Sequence, residues 1–264
     1  MRISKNILVL VVIFILSGLR FAHGDTSENK SQDKAKAMRV LFIGNSHTYC
    51  NNMPLVLVRL AISAKPSIIM HTTQQAPGGC TLERHWQDGK ALKLIQQGGW
   101  DVVILQENGQ IPLRNPKKMH EYAGKFVAEI KKVNARTVLF MTAAHQDMPQ
   151  ATETIAELYR SIGTELDISV APVGLAFKRS LEKRPYLILH DLSDKVHANE
   201  RGTYLTACVF YAVLTGQNPD GLSDGRLYTL KPTDMQFLQQ MAWETVQNYR
   251  QNSKSNSEVQ HKNF

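Results

Sequence analysis

Four segments of this sequence hold residue types that could together carry out nucleophilic chemistry, and they lie far apart along the chain. Gly44-Asn45-Ser46-His47-Thr48 follows a short apolar run and leads toward a helical stretch. A serine in such a turn can hold its hydroxyl at a sheet edge with backbone N–H groups nearby, which suits a nucleophile; the commoner role of such a serine is to cap a helix. Near the other end, Asp194-Lys195-Val196-His197 puts a carboxylate three residues before a histidine. The carboxylate can turn back to accept the Nδ1 proton, leaving Nε2 free to take a proton from a hydroxyl. An isolated Asp-x-x-His is usually no more than solvent-facing polar residues near a helix start, so the pair gains meaning only together with Ser46. In Pro77-Gly78-Gly79-Cys80 a backbone N–H can approach a developing oxyanion, and in Gln106-Glu107-Asn108-Gly109 an amide side chain can supply another donor. Both stretches are also ordinary turn sequences.

The elements that must position these groups are written in the hydrophobic pattern. Residues 39–43 (RVLFI), 102–105 and 137–141 are continuous apolar runs, as expected of strands buried on both faces of a parallel sheet. Residues 68–73 and 168–173 are weaker strand candidates. Helical spacing marks residues 53–64, 117–133 and 151–166, and an apolar helix is read over 204–214. The alternation predicts one domain over residues 38–252: a three-layer α/β/α sandwich with a mainly parallel five-stranded sheet and right-handed crossovers. In open sheets of this kind reactive groups collect at the carboxyl ends of the strands, where Ser46, the Gly78-Gly79 turn and the amides of Gln106 and Asn108 would fall.

The order of Gly-Asn-Ser near the start, a glycine after the second strand, an amide after the third and Asp-x-x-His near the end resembles the SGNH hydrolases, also called the GDSL esterase/lipase superfamily. The resemblance covers nearly all of residues 38–215, and its most specific piece is residues 194–202 (DKVHANERG). It implies a flavodoxin-like SGNH hydrolase fold, with Ser46 as nucleophile, His197 as general base and then acid, and Asp194 as its orienting carboxylate. The backbone N–H groups of Ser46 and Gly79 and the side chain of Asn108 would form the oxyanion hole. Three departures stand out. Gly-Asn-Ser replaces the usual Gly-Asp-Ser; the usual Gly-x-Asn-Asp is absent, which makes Gln106 a rival to Asn108; and Ala198 stands where a proline usually follows the histidine. The resemblance implies a carboxylic ester hydrolase working by two-step acyl transfer. With no long apolar insertion suited to a lipid-covering lid, the favoured substrate is a short acyl (acetyl) ester on carbohydrate, a small molecule or a glycan. The alternatives are a lipid or aryl esterase or thioesterase of the same fold, and a non-catalytic carbohydrate-binding domain.

No cofactor is expected. His71, His85, His120, His145 and His190 lack close pairing at ligand spacing, so no metal site is read. His47 either lines the acyl pocket or packs at the helix start, and Trp86 either rims the substrate or is packed. A content of 43% hydrophobic and 20% charged residues excludes disordered, collagen-like and coiled-coil classes. Three cysteines are too few for a disulfide framework. Cys50 and Cys80 could pair only if their Cα atoms came within ~7 Å, and Cys208 falls inside the apolar helix.

The formal charge of +8 suggests a polyanion partner. However, Lys117-Lys118 and Lys131-Lys132 are dispersed along helices without interleaved aromatics, so nucleic acid is not an expected partner. Residues 1–24 read as a secretory signal: Arg2 and Lys5, an apolar core at 7–19 that is short for a bilayer, and Ala22 and Gly24 before the cleavage point. The other reading is an uncleaved anchor. Either way the main domain is expected outside the cytoplasm, periplasmic or extracellular, with no stable membrane insertion once the signal is cleaved. Residues 25–37 read as a solvated, disordered linker and 253–264 as a polar tail.

Overall fold

The computed structural model describes residues 37–261, with side chains through residue 252. The signal reading and almost all of the linker reading lie outside the described residues. Five strands form one parallel sheet: β1 (Met38–Ile43), β2 (Met70–Gln75), β3 (Val102–Leu105), β4 (Arg136–Phe140) and β5 (Ser169–Ala171). Helix α1 (Ser46–Tyr49) passes through a 3₁₀ turn at Cys50–Asn52 into α2 (Met53–Ser63). Helices α3 (Leu82–Asp88) and α4 (Lys90–Gln96) follow β2, while α5 (Ile111–Arg114) and α6 (Pro116–Lys132) follow β3. Helix α7 (Ala151–Glu165) follows β4, and α8 (Val173–Lys183), α9 (Glu200–Thr215) and α10 (Pro232–His261) come after β5.

The strand order is β2-β1-β3-β4-β5, so the chain winds outward from β1 in one direction and then from β3 in the other. At this reversal the connections leave on opposite sides and open a crevice beyond the carboxyl ends of β1 and β3. Alternate residues of the apolar strands serve the two faces. Val40, Phe42, Ile104 and Phe140 pack with α2, α8, α9 and α10, whereas Leu41, Ile43, Val103 and Leu139 pack with α3, α4, α6 and α7. Helix α9 is buried almost all round, which explains its lack of a polar stripe. Its Phe210 ring meets Phe42 and Phe140 edge-on at 5.7 and 4.9 Å. Each such side chain removed from water contributes roughly 1.5–3 kcal/mol.

The three-layer α/β/α sandwich matches the expectation, and the differences have local causes. Strand β2 starts later than the apolar residues suggest because it is an edge strand, and its polar MHTTQQ sequence faces solvent at most positions. Pro172 ends β5 early and opens α8, so Val173, inside the 168–173 strand candidate, begins a helix instead. Helices α3 and α4 are too short for a clear period and are separated by Gly89 at φ +67°. Helix α10 carries the chain through His261, into the stretch read as a polar tail. Among the described residues, no helix is long and apolar enough to cross a membrane.

Candidate active site

Immediately after β1 the backbone runs against the end of β3. A Cβ on Gly44 would sit 2.5 Å from both Gln106 Oε1 and Thr48 Oγ1, so only glycine fits. Asn45 is extended (φ −146°, ψ −149°), and its Oδ1 accepts a hydrogen bond from His47 N at 3.2 Å, capping α1. Its backbone N–H donates to Gln106 Oε1 at 2.8 Å, and its Nδ2 donates to Cys80 O at 2.8 Å. Asn45 is buried, and it needs an acceptor for the cap and a donor for Cys80. An asparagine supplies both, whereas an ionised aspartate has no donor. This chemistry accounts for Gly-Asn-Ser at this turn.

The histidine arrives on the loop before α9. Asp194 Oδ1 accepts from Val196 N at 2.8 Å and His197 N at 3.0 Å, while its Oδ2 meets His197 Nδ1 at 2.5 Å. The other ring nitrogen, Nε2, lies 2.7 Å from Ser46 Oγ, a residue 151 positions earlier. The loop is held from two sides. Asn199 caps α9 through Gly202 N and donates to Ile188 O, while Asn51 Nδ2 donates to Ala198 O at 2.7 Å and Thr203 Oγ1 at 3.2 Å. Asn51 adopts φ +50°, a left-handed conformation that asparagine tolerates better than most residues.

The His197 ring lies between an ionised neighbour and a neutral one. Desolvation pushes the Asp194 carboxyl up, but hydrogen bonds from the His197 ring and the Val196 and His197 backbone N–H groups, with the His197 charge, outweigh it and hold it at about 2. Asp194 is therefore a carboxylate at any ordinary pH. The His47 ring lies 5.0 Å from that of His197, tilted by 35°. Burial, aided by His197 and opposed by Asp194, lowers its pKa to about 4, so His47 is a neutral wall of the site. A Cβ on Gly109 would lie 3.4 Å from His47 Nε2, so this loop closes against the same ring.

The remaining expected residues divide. Gly79, at φ +66°, and Asn108 come together: Asn108 Nδ2 donates to Gly79 O at 3.1 Å, and Asn108 Oδ1 accepts from Gln110 N at 3.1 Å. Gln106, the rival amide, does not face the crevice. It is fully buried, with Oε1 accepting from Asn45 N and Thr48 Oγ1 and Nε2 donating to Glu107 O at 2.6 Å. The pairing considered for Cys50 and Cys80 is not formed; both are free thiols, as is Cys208. Trp86 is packed edge-on against Phe126 at 5.3 Å and does not form a rim. His85 and His190 are buried structural groups whose Nε2 atoms meet Gly44 O at 2.7 Å and Ala144 O at 3.1 Å.

Sequence reasoning missed Glu107 and Asn51 and saw Asn45 only as a departure. Glu107 is 2% exposed, and its Oε1 accepts from Asn108 N at 2.6 Å and Leu82 N at 3.2 Å. Burial, opposed by those two bonds and aided by the Glu83 charge, drives its carboxyl up to about 7. The available signal was a Gln-Glu pair directly continuing the buried VVIL strand, where a polar residue must have a partner.

Fold and site together define a doubly wound α/β protein with a serine, a histidine and an aspartate linked at its switch point. Comparison with solved structures narrows the class. A DUF4886 family protein from Bacteroides uniformis superposes with a TM-score of 0.64 at 18% identity, over 80% of this chain and 95% of that one. A putative SGNH hydrolase from Slackia heliotrinireducens gives 0.55 at 22% identity, over 68% of this chain and 100% of that one. An acetyl-xylooligosaccharide esterase variant from Geobacillus stearmophilus gives 0.55 at 17% identity, over 69% and 96%. No family model and no curated protein matches the sequence. The fold of this chain is that of the SGNH hydrolases.

Proposed function

We propose that this protein is an exported serine esterase of the SGNH superfamily that removes short acyl groups, acetyl above all, from carbohydrate. The observation that carries the proposal is the unbroken chain from Ser46 Oγ to His197 Nε2 at 2.7 Å and from His197 Nδ1 to Asp194 Oδ2 at 2.5 Å. In this reading Ser46 Oγ attacks the ester carbonyl carbon as its proton passes to His197 Nε2. Asp194 fixes the Nδ1–H tautomer and stabilises the imidazolium. The carbonyl oxygen becomes an oxyanion facing the N–H groups of Ser46 and Gly79 and the Asn108 amide. Asn108 Nδ2 has two hydrogens, one of which is engaged by Gly79 O, leaving the other for the oxyanion. Collapse of the tetrahedral intermediate expels the alcohol, which takes the proton from His197. Water, deprotonated by the same imidazole, then releases the acid and regenerates Ser46.

The choice of a short acyl group is supported by the close approach of Gly109 to His47, which narrows that wall, and by acetyl-xylan esterases among the structural neighbours. The test combines covalent labelling by an organophosphonate, with the modified residue mapped by mass spectrometry, and hydrolysis of p-nitrophenyl esters of increasing chain length and of acetylated xylan. The expected results are labelling at Ser46, a preference for acetyl, and loss of both labelling and hydrolysis in Ser46→Ala. Equal activity in wild type and Ser46→Ala would refute the mechanism. A preference for long acyl chains would refute the substrate class.

A further inference from the structure

Glu107 has no part in the acyl-transfer steps, yet it lies buried directly behind the groups that would receive the oxyanion. Burying a carboxylate is unfavourable unless hydrogen bonds compensate. Here both bonds fall on one oxygen, and they come from two different loops. Asn108 N, at 2.6 Å, lies in the segment after β3, and Leu82 N, at 3.2 Å, begins α3 just beyond Gly79-Cys80-Thr81. A second tie, from Asn108 Nδ2 to Gly79 O, joins the same two loops nearer the crevice. Asn45 Nδ2 holds Cys80 O from the Ser46 side. The three segments expected to supply oxyanion donors are therefore tied to one another by hydrogen bonds, and Glu107 Oε1 is the buried acceptor that joins the Asn108 segment to the start of α3. Glu83, Cys80 and the buried Tyr159 hydroxyl are the titratable groups near enough to couple to it.

We infer that Glu107 is a positioning residue that sets the spacing between the Gly79 segment and Asn108, and through them the alignment of the oxyanion donors. The inference rests on the esterase reading above. Its physical basis is that such donors act only when pre-aimed at the developing charge, so a displacement of about 1 Å lowers the rate by roughly 100-fold. Glutamine keeps a carbonyl Oε1 able to accept both N–H bonds, whereas methionine fills a similar volume and accepts neither.

The experiment compares Glu107→Gln and Glu107→Met with wild type in p-nitrophenyl acetate hydrolysis, each also placed in an Asn108→Ala background. Glu107→Met should lower kcat roughly 10- to 100-fold with KM within about threefold, because the lost alignment matters mainly in the transition state. Glu107→Gln should recover most of that loss. In the Asn108→Ala background the effect of Glu107→Met should shrink, since one of the donors it misaligns is already gone. Should Glu107→Met not fold, Glu107→Asp, which withdraws the acceptor by one methylene, gives the same readout. A folded Glu107→Met with wild-type kcat, or effects that simply add to those of Asn108→Ala, would overturn the inference while phosphonate labelling at Ser46 left the esterase reading standing. A wild-type protein that neither labels at Ser46 nor hydrolyses esters would overturn both.

Discussion

Replacing Glu107 by glutamine should stabilise the protein at alkaline pH and change it much less at pH 5. The carboxyl is 2% exposed, and burial raises it from 4.5 to about 7. A folded-state pKa above the unfolded value means that the fold disfavours the ionised form. The penalty is absent below about pH 4.5, grows as pH rises toward 7, and is constant above. At ~1.4 kcal/mol per pH unit across that window, the ionised fold is penalised by roughly 3 kcal/mol. Glutamine retains an acceptor for Asn108 N and Leu82 N and has nothing to ionise. The difference in stability between variant and wild type should therefore widen by about 2–3 kcal/mol from pH 5 to pH 8, which for a chain of this size is a gap in Tm of roughly 5–10 °C. Calorimetric melts of both proteins at pH 5, 6, 7 and 8 measure it, and groups common to the two cancel in the difference. Parallel Tm curves would refute the reasoning. So would a wild type that gains on the variant as pH rises, which would mean that the N–H bonds outweigh burial.

Three further substitutions probe other parts of the site. Asp194→Asn should lower kcat by about 10³- to 10⁴-fold while leaving phosphonate labelling detectable, since the tautomer is mis-set but Ser46 remains. With the Asp194 carboxyl held at about 2, its support for the fold is present above the ordinary carboxylate range and fades only as pH falls toward 2, so it should add no limb to a pH–rate profile above about pH 3. Asn45→Asp removes the donor to Cys80 O and places an unpaired charge in a buried turn; urea unfolding should show a loss of roughly 2–4 kcal/mol, and a variant as stable as wild type would contradict the role assigned to Nδ2. Asn51→Gly keeps the left-handed backbone while deleting the bonds to Ala198 O and Thr203 Oγ1. Steady-state kinetics should show a drop in kcat of about tenfold, with thermal melts showing a stability loss under about 2 kcal/mol.

The parts of this protein that were readable in one dimension share a cause. β1 and β3, with α2, α6 and α7, carry their burial in a local apolar period, so Val40–Phe42 and Leu41–Ile43 announce two packed faces before any partner is known. The meeting of Ser46, Asp194 and His197 was readable for a different reason: few residue types could carry the chemistry considered, and the Asp-x-x-His spacing lets one side chain reach the other within a single loop. Helices α3 and α4 lacked the length to show a period, and α8 shared its apolar start with a strand that a proline cut short.

Residue types and short-range spacing were thus enough to specify the α/β alternation, the turn that carries Ser46 and the local Asp194–His197 pair. The burial of Gln106 and the tie between Asn108 and Gly79, the free state of Cys50 and Cys80, and the partners of Glu107 were decided only in three dimensions. A buried amide or carboxylate has its meaning set by whichever N–H and C=O groups surround it, and here those groups come from loops that meet only because β1 and β3 are neighbours in the sheet.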